Sequence, residues 1–350
     1  MERQLILPVE KKYSQEWSKY NLAKTNEKRL FIEMLHDLSK LITEPEYKFG
    51  RPPVPIKDLF FCAGLKLYSN YSGRKAVSDY KLSLKSGYIR HAPHFNTLKD
   101  FFNCDATYDL LQRLLVISAL PLKEIENHYS LDASGFGSYS TERWNKAKWK
   151  KKVPYKNYMK GHILIGTKTN IICECEITPG NFADVRQAPK IITNASKNFK
   201  IGEFSADRAY SSKLVFRILQ SIGSIPYVPF KSNVTKPTEG SPEIWNEMFL
   251  QFKNNKEEWE KHYHKRSNVE CTFAMVKRRF GEILLSKNYK AQRSELMMKL
   301  ICHNICCLIQ EIYERGIKVE FDQSALIHIE REVPKELDTR PASKVENCDY

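Results

Sequence analysis

The apolar pattern of the chain changes period once, near Tyr129, and that change limits the possible folds more than any other feature. Before it, apolar residues recur at helical spacing: Leu59, Phe60, Leu65 and Leu67, then Leu82 and Leu84, then Phe101, Leu110, Leu111, Leu114 and Leu115. After it, short strand-like runs alternate with helical ones. Ser130-Leu131-Asp132-Ala133 reads as a strand end, and Ile163–Ile165 and Ile171–Cys173 flank a hairpin turn at Lys168-Thr169-Asn170. A helix over about 184–196, a strand over 201–206, a helix over 211–221 and a strand over 225–229 follow. A hairpin leading into strand–helix alternation predicts a mixed α/β sheet covered by helices, preceded by an all-helical module.

The same pattern divides the chain. Residues 1–50 form a helical lead-in, with an amphipathic helix over roughly Glu27 to Thr43, and Arg51-Pro52-Pro53-Val54-Pro55 is a stiff break. Residues 51–125 form the helical module, in which Pro93–Leu98 reads as a turn and helix cap. The sheet-bearing part spans 126–320. Within it, residues 231–260 carry Pro237, Gly240 and Pro242 and an acidic excess, which reads as an insertion. Two helices then run over about His262–Leu285 and Ser294–Tyr313, and 321–350 is a loose tail.

Charge narrows the function. Lys and Arg number 56 against 41 Asp and Glu, a net charge of +15, which points to a polyanionic partner. Two stretches account for most of that excess. Residues 141–160 hold eight Lys and Arg against one Glu, including Lys148, Lys150, Lys151 and Lys152. Trp144, Trp149, Tyr155 and Tyr158 are interleaved there, suited to backbone tracking plus base stacking, or else to packing of a solvated loop on the sheet. Residues 261–299 hold ten against three. In the helical module Arg74, Lys75 and Arg90 are candidate DNA contacts.

A composition 42% hydrophobic and 28% charged excludes disorder and collagen-like repeats. Nine cysteines without a C-x-x-C pair indicate neither a disulfide framework nor a zinc knuckle, and Cys302, Cys306 and Cys307 read as buried thiols. No apolar stretch reaches the roughly 18–20 residues of a membrane span, and the N-terminal residues do not resemble a secretory signal, so a cytoplasmic, nucleoid-associated location without membrane contact is expected. His91, His94 and His128 read as turn or surface histidines.

Three acids stand out. Asp132 and Asp207 each follow an apolar strand and precede a small, flexible segment, where α/β sheets place site residues, although helix caps and turns use Asp there too. On a helix turning about 100° per residue, Tyr263, Arg266, Glu270 and Lys277 fall in an arc of roughly 60°. They lie beside an apolar stripe of Val269, Phe273, Val276 and Phe280. A plain solvated Arg–Glu pair explains Arg266 and Glu270 but leaves Tyr263 and Lys277 without a reason. Phosphodiester cleavage wants carboxylates that hold two hard cations, Mg²⁺ or Mn²⁺, and basic groups that neutralise phosphates. Three acids with Arg266 and Lys277 supply both.

The spacing Tyr263-x2-Arg266-x3-Glu270-x6-Lys277 resembles the Y-R-E-K signature of DDE transposases of bacterial and archaeal insertion sequences. Leu131–Gly135 is similar to that family's first-aspartate segment and Ala206-Asp207-Arg208-Ala209-Tyr210 to its second, with Ala209 where glycine is commoner. Thr178–Asp184 resembles its turn between hairpin and helix. The resemblance implies a ribonuclease-H-like catalytic domain, with Asp132, Asp207 and Glu270 as catalytic ligands of two metal ions. It also implies cut-and-paste transposition of double-stranded DNA and a synaptic homodimer. Tyr263, Arg266, Lys277 and Arg208 would face DNA. A ribonuclease-H-like nuclease without strand transfer uses the same clamp and stays open. A non-catalytic transposase-derived DNA-binding protein is disfavoured by the three intact acids.

Overall fold

The computed structural model describes residues 16–45, 52–138, 158–237 and 239–321. Lys148, Lys150, Lys151 and Lys152, the Trp144, Trp149 and Tyr155 aromatics and the tail beyond Phe321 lie outside them. Five helices come first: α1 (Trp17–Lys40), α2 (Ile56–Tyr68), α3 (Gly73–Lys85), α4 (Phe95–Asn103) and α5 (Asp105–Ala119). Helix α1 begins ten residues before the expected start. Its first turns carry Trp17, Tyr20 and the buried Ala23 at helical spacing, and Lys19–Glu16 and Lys24–Glu27 pairs support them. His94 caps α4, its ring nitrogen accepting from the Asn96 amide at 3.3 Å.

The sheet and its covering helices follow in order: β1 (His128–Ser138), β2 (Tyr158–Gly166), β3 (Ile172–Pro179), α6 (Ala188–Ala195), β4 (Glu203–Ala206), α7 (Lys213–Ser221), β5 (Ile225–Tyr227), α8 (Glu243–Asn254), α9 (Lys256–Tyr263), α10 (Ser267–Phe280), β6 (Ile283–Leu284) and α11 (Tyr289–Arg315). The strand order is β3-β2-β1-β4-β5, with β6 joining the far end of β1. β1, β2 and β3 form an antiparallel meander, whereas β4, β5 and β6 run parallel to their neighbours. The hairpin turn between β2 and β3 bends at Asn170, whose φ of 61° suits an asparagine.

Two expectations need correction, and the 231–260 stretch is partly helical. Asp132 is not at a strand end: β1 continues to Ser138 because β2 pairs with it as far as Gly137↔Tyr158. The small residues that suggested an ending make room instead, since a methyl on Gly135 would come within 3.0 Å of the Tyr158 ring. The helix expected over His262–Leu285 is two helices and a strand. Ser267 bonds back to the His264 carbonyl and Asn268 to the Thr167 carbonyl, tightening residues 264–266 into a 3₁₀ turn, and Gly281 at φ 79° stops α10. Residues 231–260 contain α8 and part of α9, packed through Trp245 and Phe249 on Phe216 and Phe230.

α11 ties the two parts of the chain together, packing against α1, α2, α4, α5 and β3. It is long and apolar enough to cross a membrane, yet 83% of that stretch is buried inside the protein. Cys302, Cys306 and Cys307 are buried along it, as expected. Asn304 on α11 accepts from the Ile172 amide at 2.9 Å and donates to its carbonyl at 2.8 Å, satisfying the outer edge of β3. A second tie joins α10 to α1: Arg279 forks onto the buried carboxylate of Glu27, which also accepts from the Tyr68 hydroxyl at 3.1 Å and from Lys24. Glu27→Ala strands the Arg279 charge. Urea unfolding is expected to show a loss of about 3 kcal/mol, most of which returns in a Glu27→Leu/Arg279→Met pair.

Candidate active site

The parallel ladder of β1 and β4 runs from His128↔Glu203 to Leu131↔Ala206. Asp132 and Asp207 come next in the chain, so the two acids follow adjacent strands one residue past the last rung. Period-two alternation puts Ser130, Asp132 and Ser134 on one face of β1. That face meets α10 and the 264–266 turn, because Arg266 reaches Asp132 and Lys277 donates to the Ser134 hydroxyl at 2.8 Å. The Lys277 ammonium also lies 5.2 Å from the Phe136 ring.

Arg266 is the hub. Its Nη1 donates to Glu270 Oε1 at 2.8 Å and its Nη2 to Asp132 Oδ2 at 2.9 Å, so one guanidinium bridges two of the three acids. The i,i+4 pair with Glu270 is therefore real, but it is half of a longer contact into the sheet. Tyr263 ends α9, so the four signature residues do not share one helix. The backbone stays in the right-handed helical region at Tyr263, Arg266 and Ser267. The chain thus winds on more tightly and keeps the group together. Tyr263 stacks on Trp259 with centroids 5.0 Å apart. Burial pushes its hydroxyl pKa up, and the charges of Asp207, Glu270 and Asp132 add to that against Arg266.

Burial also holds the Asp132 carboxyl above its ordinary range, against the Ala133 amide and Arg266, and Asp207 and Glu270 push the same way. Oδ1 of Asp132 accepts from the Ala133 amide at 2.8 Å. Asp207 caps the 208–210 turn through its Oδ1 and the Ala209 amide, also at 2.8 Å. Arg208 and Ala209 point outward and are exposed, so the alanine at 209 costs the site nothing.

Two neighbours were not picked out from sequence as site residues. Tyr210 is buried with no hydrogen-bond partner for its hydroxyl among the described residues, and Asp132, Asp184 and Asp207 all act on it after burial itself. Its position three residues after Asp207, on a 3₁₀ turn, was the available signal. Asp184, the last residue of the turn after β3, pairs with Lys160 at 2.9 Å and lies 3.5 Å from His162 Nδ1. His128, expected at a turn or surface, is buried in β1. Its Nδ1 contacts Glu203 at 2.7 Å and its Nε2 contacts Ser205 at 3.0 Å. A cavity of about 350 Å³ lies on the far side of Lys277, between α2 and the end of α10, and Asp132, Asp207 and Glu270 do not line it.

An all-carboxylate oxygen set suits a hard divalent cation. Asp207 and Glu270 each keep one oxygen without a hydrogen bond among the described residues. As placed, however, no three acidic, histidine or cysteine side chains among the described residues converge on one ion, and Arg266 stands between two of the three acids.

The sequence matches the family of the transposase DDE domain over residues 124–305, just over half of the chain. The chain belongs to that family. The matched span runs from just before β1 into α11 and includes Asp132, Asp207, Tyr263, Arg266, Glu270 and Lys277. No curated protein and no solved structure matches the chain. A DDE transposase acts on DNA, and the mixed sheet, flanking helices and preceding helical region accord with its family's fold.

Proposed function

We propose that this DDE transposase cuts DNA at the ends of its element and joins the freed 3′-hydroxyl to target DNA. Asp132, Asp207 and Glu270 are its catalytic residues and the ligands of a Mg²⁺ or Mn²⁺ pair. Such a pair stabilises charge on the attacking and leaving oxygens of an in-line displacement. The observation that carries this reading is the register: two aspartates one residue past the last rung between adjacent strands, with Arg266 linking the first of them to Glu270. The antiparallel β1–β3 meander followed by parallel β4 and β5 supports a ribonuclease-H-like core.

The chain's own groups orient the substrate. Arg266 and Lys277 sit on the Asp132 face of β1 and neutralise the phosphates flanking the scissile bond, and Tyr263 offers a hydroxyl to the same backbone. Arg208 stands exposed beside Asp207 for the opposite flank. The basic 141–160 stretch, with Lys148, Lys150, Lys151 and Lys152, tracks the backbone beyond. Arg74 and Lys75 on α3 and Arg90 after it are exposed, and with these the helices of residues 51–125 contact the terminal repeats. Water first displaces the 3′-oxygen, leaving a 3′-hydroxyl and a 5′-phosphate. The 3′-hydroxyl then attacks a target phosphodiester, one P–O bond forming as one breaks, so no nucleotide cofactor is consumed. Two chains in a synaptic complex, acting in the cytoplasm at the nucleoid, bring both ends together.

The test is incubation with DNA carrying the repeats that flank the protein's own gene. With Mg²⁺, cuts should map to the element ends and a labelled 3′-hydroxyl end should appear in joined products; with EDTA, neither should. Cuts without joined products would reduce the reading to a nuclease. No cuts at all would overturn it.

A further inference from the structure

We propose that Arg266 is an internal counter-cation that blocks the carboxylates from divalent ions until DNA draws it away, so that metal binding is coupled to DNA binding. The inference rests on the proposed reading that Asp132 and Glu270 hold the metals.

The geometry supports a block. The Arg266 fork takes Oδ2 of Asp132 and Oε1 of Glu270, while Oδ1 of Asp132 is already engaged by the Ala133 amide. Each oxygen of Asp132 therefore already accepts one hydrogen bond. A small divalent ion needs oxygens at about 2.0–2.1 Å in near-octahedral array, and a guanidinium lodged between Asp132 and Glu270 occupies space and offsets negative charge that such an ion would use.

The block is also incomplete in a way that favours release. Arg266 Nε is buried with no hydrogen-bond partner among the described residues, although a guanidinium carries five donors in a rigid fork. A phosphate offers that fork a bidentate partner with no shortage of acceptors. The other cations on this face do not compete for the role. Lys277 donates to Ser134, and Arg208 is exposed on the following turn. Phosphate therefore takes the guanidinium, and the carboxylates it leaves are free to turn to metal. By linkage the coupling runs both ways. A static Arg–Glu pair, by contrast, leaves metal affinity independent of DNA.

The experiment measures free Mn²⁺ by electron paramagnetic resonance in titrations of the full chain. The duplex carries the flanking repeats and is cut beforehand at the mapped ends, so that no hydrolysis intervenes. Without DNA, Arg266→Gln should bind Mn²⁺ about tenfold more tightly than the native chain. The duplex should raise Mn²⁺ affinity of the native chain by a similar factor and that of the variant hardly at all. Unchanged or weaker Mn²⁺ binding by Arg266→Gln, or an equal response to DNA in both proteins, overturns the proposal. Arg266→Lys, which cannot bridge both carboxylates with one fork, should fall between the two and carries the test if the glutamine variant does not fold. Adding Asp132→Asn to Arg266→Gln should abolish Mn²⁺ binding. Mn²⁺ binding that survives this change means the ions are held elsewhere, and then it is the site reading that fails.

Discussion

Glu270→Gln is expected to remove metal-dependent DNA cleavage, by on the order of 10³-fold or more, while DNA binding and folding persist. The magnitude follows from what the substitution takes away. Loss of a group that merely orients a metal ligand costs 10–100-fold, and a ligand's own charge is worth more. The substitution is also clean. Glutamine matches glutamate in size, and the Glu270 side chain is 59% exposed, so its pair with Arg266 contributes little to stability. Arg266 keeps its contact with Asp132 in the variant, which holds the 264–266 turn in place. The measurement is a cleavage time course beside a melting curve and an anisotropy titration with the same duplex. Undiminished cleavage would remove Glu270 from the metal site. A collapse of the melting temperature would mean that the residue supports the fold.

What was legible in the sequence was local; what was missed depended on partners far along the chain. Asp207 could be placed because the apolar run of β4 stops at Ala206 and nothing extends it. Asp132 reads as a strand end because Ala133, Ser134, Gly135 and Gly137 are weak strand formers, and the ladder that keeps them extended comes from β2, which begins only at Tyr158. The apolar stripe of α10 was correct in all four members, Val269, Phe273, Val276 and Phe280, because burial on one helix face is a local pattern. The break before it was hidden, since the anchor of Asn268 is the Thr167 carbonyl on another element. Spacing offers Arg266 a local i,i+4 partner in Glu270 or a place facing phosphate, whereas its contact with Asp132 spans 134 residues. The most consequential contact of the site is thus the one that spacing alone could not show.

Acid should unfold this chain well before its carboxylates are exhausted. Burial pushes three histidines, His128, His162 and His303, down to about 4, and keeps each neutral even though its hydrogen-bonding or acidic partners favour the charged ring. His128 sits between Glu203 and Ser205, His162 lies 2.9 Å from the Thr178 hydroxyl, and His303 donates to the Asn170 carbonyl at 3.0 Å. The surrounding charges oppose one another: Glu203 against Lys265 and His262 at His128, and Asp184 and Glu176 against Lys160 at His162. At His303 the Asn170 carbonyl works against Arg279 and Lys24. Burial decides the direction at all three. A folded pKa below the unfolded value near 6.5 means that the unfolded chain takes up the proton first. Stability is then full above about pH 6.5 and falls as the pH drops from there toward 4. At about 1.4 kcal/mol per pH unit the limit is roughly 3 kcal/mol for each histidine, and together they rival the 5–15 kcal/mol stability of a typical domain. Urea midpoints at pH 7.5, 6 and 5 should therefore fall steeply. His128→Gln, which keeps a donor for Glu203, should flatten the slope by up to one proton. A midpoint that stays level between pH 7.5 and 5 would show that these rings are hydrated and free to charge in the folded chain.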